Sequence, residues 1–256
     1  MCPSCGQVEI VESPYMVIDT PVYVPLGFAH VHPHVFFDFL AYTLGARLYF
    51  WMRPKTDMTK SQSWAIAGGA LAGAALGAVL LAVLMDPFHW KLGKTIVGGL
   101  LGGVAGVELT KKAVRYRRST GDTFVFPLLA GMVVGRLGCF LSGLADNTTG
   151  IATGLPWGVD LGDGVPRHPT AIYEIAFLIA IGGFLFRSKR IPREPGDLFK
   201  IFMIAYLVFR LFIDFLKPYP RPFLGLGALQ LAALAGLYYY AGDVRRLAGK
   251  TRASHA

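Results

Sequence analysis

The chain has 256 residues, 54% of them hydrophobic and only 16% charged, with a formal net charge of +9. That balance excludes an ordinary soluble domain and predicts an integral membrane protein of the all-α class. Lys and Arg fall in short clusters between apolar runs, so they report topology and do not call for nucleic acid as a partner.

Residues 1–27 alternate apolar and polar around Val8-Glu9-Ile10-Val11-Glu12 and carry four prolines, which predicts an extended extracytoplasmic arm lying on the surface. They lack Lys, Arg and a continuous apolar core, so no cleavable signal peptide is expected. Cys2 and Cys5 form one C-x-x-C, open to a disulfide or to no role; a zinc site there would need ligands from elsewhere. No cofactor or metal is expected.

Seven transmembrane helices are predicted within a domain spanning 28–241. The first runs from about Phe28 to Trp51 and carries Pro33, Asp38 and Arg47. The second, Ser63 to Met85, is an uncharged run ended by Asp86-Pro87, long enough for a hydrocarbon core of about 30 Å. The third begins near Leu92 and is glycine-rich to Val107, with Glu108 to Lys111 at its end. Gly69, Gly73 and Gly77 in the second span and Gly98, Gly102 and Gly106 in the third form small-xxx-small ridges that predict close helix packing. The fourth span runs from Thr123 to Ala145, the fifth from Pro169 to Phe186, the sixth from Leu198 to Leu216 and the seventh from Pro222 to Ala241. A basic tail, 242–256, closes the chain. Connections after spans one, three, five and seven are basic and the others are poorer in positive charge. The positive-inside rule therefore puts the N-terminus outside, the C-terminus in the cytoplasm, and the Asp146–Arg167 loop on the extracytoplasmic face.

Ionisable residues inside such helices mark candidate sites. Arg136 lies within span four between Gly135 and Gly138, where an arginine costs at least ~2.5 kcal/mol and needs an anionic partner or water. Its planar fork suits a phosphate, and small neighbours let a lipid head group approach. A structural ion pair with Glu174 or Asp214 is the competing explanation. Arg210 and Asp214 are spaced i, i+4 on one face of span six, with Lys217 a turn further on. They can form a self-contained salt bridge or, with Arg136, a deep cationic pocket for a phospholipid head group. Glu174 stands about one and a half turns from His168 and can pair with an arginine or with polyol hydroxyls. His168 precedes Pro169 and fits a helix-start anchor better than a base. Cys139 reads as a small apolar filler, with an alternative nucleophile as the other possibility.

Three segments carry a resemblance. Gly135-Arg136-Leu137-Gly138 with Phe140 and Gly143 resembles the signature of the prolipoprotein diacylglyceryl transferases, and Arg167-His168-Pro169-Thr170-Ala171-Ile172-Tyr173-Glu174 is similar to their Arg-His-Pro-Ser-Gln-Leu-Tyr-Glu segment. Phe209-Arg210-Leu211-Phe212-Ile213-Asp214-Phe215 resembles their Phe-Arg-x-x-x-Glu-Phe, Gln230 their Gly-Gln, and Gly98-Gly99-Leu100-Leu101-Gly102 the glycine run of their third span. The resemblance implies a seven-span enzyme of the bacterial inner membrane. It would transfer diacylglyceryl from phosphatidylglycerol to a preprolipoprotein cysteine and release glycerol phosphate. It implies Arg136, Arg210, Glu174, Asp214 and His168 at the reacting centre, and Arg136, Gly98, Gly99, Tyr173, Arg210 and Lys217 around the head group. Val97 stands where the family has a histidine, Cys139 where it has asparagine, and Leu144 where it has an acid, with Asp146 two residues on. Phe36-Phe37-Asp38 stands where it has Trp-Tyr-Gly. These departures raise a second reading, a paralogue that binds phospholipid and transfers to another acceptor or lacks transferase activity. A transporter is disfavoured by buried charges clustered toward one side and by the lack of a clear inverted repeat.

Overall fold

The computed structural model describes residues 15–26, 29–52, 57–85, 93–146, 148–188 and 194–253. Cys2 and Cys5 lie outside the described residues, as do Asp86 and Pro87. Eight α-helices carry most of these residues: α1 (Pro33–Met52), α2 (Lys60–Met85), α3 (Ile96–Ala113), α4 (Val125–Ser142), α5 (Thr170–Ser188), α6 (Asp197–Ile213), α7 (Ala228–Tyr239) and α8 (Ala241–Ala253). Short 3₁₀ turns lengthen α4 at both ends, over Gly121–Phe124 and Gly143–Asp146, and extend α6 over Asp214–Leu216. Among the described residues, three helical stretches are long and apolar enough to cross a membrane: Lys60–Met85, Gly121–Asp146 and Thr170–Arg187.

Three boundaries differ from expectation for local reasons. Ala29–Val31 forms a strand, and α1 starts at Pro33, because proline has no N–H to lose at the first helical position. The third helix starts at Ile96, where Thr95 accepts a hydrogen bond from Gly98 N at 3.2 Å, an N-cap that hydropathy does not register. The segment from Pro222 to Gly227 is a turn closed by Phe223 N to Leu226 O at 3.2 Å, so α7 is only 12 residues long. The basic tail continues as α8.

Two helix pairs form the framework. α2 and α3 run antiparallel and meet through their glycines, Gly69 against Gly106, Gly73 against Gly102 and Gly77 against Gly98; a Cβ at any of these would strike the facing backbone carbonyl. Leu71, Leu76, Leu80 and Leu84 of α2 stay exposed, a surface that acyl chains cover in a bilayer. α1 lies antiparallel on α4, with Phe37 beside Gly138, Ala41 beside Gly131 and Gly45 beside Pro127. A buried stripe on α6, comprising Phe202, Met203, Tyr206, Leu207, Arg210 and Ile213, then packs on α4, α5 and α7 through Val125, Leu129, Leu178 and Ala233. Its helical spacing brings Arg210 to the interior.

Five short strands gather near the chain segments beyond α4. β1 (Met16–Val17) pairs parallel with β4 (Val159–Asp160), which pairs antiparallel with β5 (Pro166–Arg167). β2 (Val24–Leu26) and β3 (Ala29–Val31) form a hairpin. α4 ends at Gly143, whose φ of +57° suits glycine, and where a side chain would collide with Thr20. Residues 15–26 therefore cover the end of α4 and the loop before α5.

Candidate functional site

The charged residues singled out in α4, α5 and α6 converge. Glu174 Oε2 lies 2.9 Å from Arg136 Nε and 3.2 Å from Arg210 Nη1. Arg210 Nη2 in turn lies 2.7 Å from Asp214 Oδ1. Tyr206 donates its hydroxyl to Glu174 Oε1 over 2.7 Å. Arg136, Glu174, Arg210, Asp214 and Lys217 are all buried. The two explanations for Arg136 thus merge: it is ion-paired with Glu174, within a larger cationic cluster.

The pairing is incomplete in two respects. The cluster holds three basic side chains, Arg136, Arg210 and Lys217, against the two carboxylates Glu174 and Asp214, so basic groups outnumber acidic ones by one. Arg136 Nε sits close to Glu174 yet makes no hydrogen bond with it, because the N–H points off line; Arg210 Nε and Asp214 Oδ2 are likewise buried without a hydrogen bond. Buried guanidinium donors without acceptors are unfavourable until an acceptor joins them. A group with several acceptor oxygens, such as a phosphodiester, supplies what is missing. Asp214 also lines a small recess between α2 and α7, together with Tyr219, Arg221 and Gln230.

Other expected residues are placed differently. His168 Nδ1 lies 3.3 Å from the Tyr173 hydroxyl, which also accepts from Trp157 Nε1 at 2.8 Å. The His168 backbone bonds to Ile151 and Gly150. His168 and Tyr173 therefore brace the loop before α5. Arg167 donates to Asp163 Oδ1 over 2.6 Å in the same loop and holds that carboxyl below its ordinary range. Gly98 faces Gly77 and Gly99 faces Ala74 and Ala78, so both glycines serve the α2–α3 contact. Val97, at the family's histidine position, is fully buried in the apolar core. Gln230 accepts from Gly227 N at 2.9 Å and donates to Leu211 O at 3.1 Å, tying α7 to α6.

Two features escaped the sequence reading. Tyr206 looks like a core aromatic, although its i, i+4 spacing to Arg210 puts it on the charged face. His34 and Asp38 meet the end of α4: His34 Nδ1 lies 3.1 Å from Asp38 Oδ2 and His34 Nε2 lies 3.0 Å from Asp146 Oδ1. Cys139 is buried beside them and accepts from Arg136 Nη1 at 3.6 Å.

The family model described as prolipoprotein diacylglyceryl transferase matches residues 21–244. A Cupriavidus necator protein named phosphatidylglycerol–prolipoprotein diacylglyceryl transferase is 34% identical over 177 residues, 64% of this chain and 64% of that protein. The match thus spans just under two thirds of that relative's length. Similarly named proteins from Bordetella parapertussis and Glaesserella parasuis are 32% identical over 196 residues (67% of this chain, 73% of the relative) and 26% identical over 227 residues (78% and 80%). No solved structure matches the chain. With residues 21–244 matched by the family model, the chain belongs to the prolipoprotein diacylglyceryl transferase family.

Proposed function

We propose that this protein transfers the diacylglyceryl group of phosphatidylglycerol to the lipobox cysteine of a preprolipoprotein, at the extracytoplasmic face of a bacterial inner membrane. The observation that carries the reading is the buried cluster of Arg136, Glu174, Arg210, Asp214 and Lys217, in which basic groups outnumber carboxylates by one. In the reaction the acceptor sulfur attacks the glyceryl carbon, an S–C bond forms, and the C–O bond to the phosphate breaks. The bonding pair leaves on the oxygen of glycerol phosphate, where charge develops. Arg136 and Arg210 bind the phosphodiester and stabilise the leaving phosphate, the place where preorganised cations contribute most. Glu174 and Asp214 hold the guanidinium planes in position, and Lys217 adds to the field. His168 and Tyr173 shape the entrance from the loop side.

Seven membrane helices, α1 to α7, with the N-terminal arm outside and a cytoplasmic tail beginning at 242, fit the alternation of basic connections. α7 alone reaches only about 18 Å at 1.5 Å per residue, so the Pro222–Gly227 segment completes its crossing. The shared name of the relatives supports transfer to a prolipoprotein over a paralogue without it.

The test is incubation of the purified protein with phosphatidylglycerol and a lipobox peptide. Glycerol phosphate and the thioether peptide are then measured by mass spectrometry. Both products are expected, and Arg136→Ala should remove phosphatidylglycerol binding along with turnover. Folded, lipid-binding protein that yields neither product would overturn the proposal.

A further inference from the structure

We propose that His34, Cys139 and Asp146 form a site for a divalent cation of the zinc class, with three protein ligands and an open fourth position. His34 stands in the first turn of α1, Cys139 in the last turn of α4, and Asp146 in the 3₁₀ turn that follows. One ligand atom from each lies within 4.8 Å of the other two. Tetrahedral zinc, with bonds of about 2.0–2.3 Å, holds neighbouring ligand atoms about 3.3–3.7 Å apart. His34 Nε2 and Asp146 Oδ1, 3.0 Å apart, are already near that spacing, and rotation of the Cys139 side chain can bring its sulfur in.

Each ligand is also held from behind. The far nitrogen of His34, Nδ1, meets Asp38 Oδ2 at 3.1 Å, and Asp146 Oδ2 accepts the Thr148 hydroxyl at 2.8 Å. Cys139 Sγ accepts from Arg136 Nη1. A carboxylate behind the imidazole and a donor behind the ligating carboxylate are what orient metal ligands. The donor set decides the ion class: one nitrogen, one sulfur and one oxygen suit zinc, whereas calcium and magnesium prefer oxygen alone. Two anionic ligands, thiolate and carboxylate, neutralise a dication. The competing account is an imidazolium bridging Asp38 and Asp146 with no metal, the Cys139 sulfur then only accepting from Arg136.

The site adjoins the arginine cluster through Arg136, which touches both Cys139 and Glu174. If the transfer reading holds, on which this extension rests, the fourth position receives the acceptor thiol. Coordination would deprotonate that thiol, its proton passing to water, and leave a thiolate in a chain that has the apolar Val97 where the resemblance implies a histidine. Metal binding itself does not depend on the transfer reading.

Chelator-stripped protein in detergent, carrying Cys2→Ser and Cys5→Ser to silence the N-terminal pair, is titrated with Co²⁺ and then with Zn²⁺. One equivalent of Co²⁺ should bind with intense tetrahedral visible bands and a thiolate charge-transfer band, and Zn²⁺ should displace it. Cys139→Ser should lose the charge-transfer band, and Asp38→Asn should weaken binding by roughly 10–100-fold while keeping it. A cysteine-containing lipobox peptide, but not its serine counterpart, should strengthen the thiolate band. No stoichiometric metal in the folded protein, or an unchanged spectrum in Cys139→Ser, would overturn the site. A bound metal with no peptide response would overturn the thiol assignment. Metal and peptide both bound without thioether product would count against the transfer reading instead.

Discussion

The hydroxyl of Tyr206 and Oε1 of Glu174 are 2.7 Å apart, and both side chains are fully buried. Glu174 gives its other oxygen to two guanidinium groups, so Tyr206 fixes the rotation of the carboxylate on which both arginines depend. Removing the hydroxyl leaves a charged acceptor short of a donor, at a cost of about 1.5–3 kcal/mol. Tyr206→Phe should therefore lower the unfolding temperature and slow transfer by roughly 10–100-fold. Thermal unfolding in detergent and the rate of glycerol phosphate release check the two effects. Full activity at wild-type stability would show that the arginines hold Glu174 without help.

How far this cluster was legible in the sequence depended on residue type. Arg136, Glu174, Arg210 and Asp214 stand out because a charge within an apolar run requires a reason, and the i, i+4 spacing of Arg210 and Asp214 gave their shared face directly. Tyr206 did not stand out, because an aromatic in an apolar helix is the normal core residue. His34 was hidden by a boundary: with a helix drawn from Phe28 it falls mid-turn, whereas Pro33 starts the helix and puts His34 in its first turn, opposite the end of α4. The seventh helix likewise starts later than its span, at Ala228. Hydropathy counts Phe223 and Leu224 as span, while Pro222, Gly225 and Gly227 form a turn.

Arg136 should resist replacement by lysine. Its guanidinium faces Glu174 on one side and Cys139 on the other, and an ammonium on a flexible stem cannot hold both while also contacting phosphate bidentately. Arg136→Lys is expected to keep the fold and lose at least roughly 10-fold in phosphatidylglycerol affinity, a difference of about 1.4 kcal/mol. Binding to lipid nanodiscs of defined composition measures it. Lysine performing as well as arginine would mean that the charge alone suffices.

The α2–α3 contact makes a sharper steric prediction. Gly102 lies against the Gly73 carbonyl, whereas a Cβ at Gly103 would meet Ala74 Cβ at an ordinary 3.6 Å. Gly102→Val must separate the helices and should destabilise by about 1–3 kcal/mol or more. Gly103→Ala should be neutral or slightly stabilising, through a gain in helix propensity of up to about 1 kcal/mol. Unfolding temperatures of the two variants should therefore move in opposite directions, or only the first should fall; equal losses would place the close approach elsewhere.

Lys217 separates binding from stability. It is the third cation of the cluster, only 1% exposed, with its ammonium 5.8 Å from the centre of the Tyr219 ring. Arg136 and Arg210 already match Glu174 and Asp214 in number, so Lys217 is the surplus basic group. A buried ammonium without a carboxylate of its own is costly. Lys217→Met keeps the stem length and removes the charge, so the variant should be as stable as the parent or more so. Its affinity for an anionic head group should fall, because the remaining charges balance. Nanodisc binding compared between phosphatidylglycerol and a zwitterionic lipid, alongside thermal unfolding, reads both effects. Weakened binding at equal or higher stability assigns Lys217 to the substrate; a large loss of stability with unchanged preference for the anionic lipid would show that the side chain serves only to hold the C-terminal end of α6.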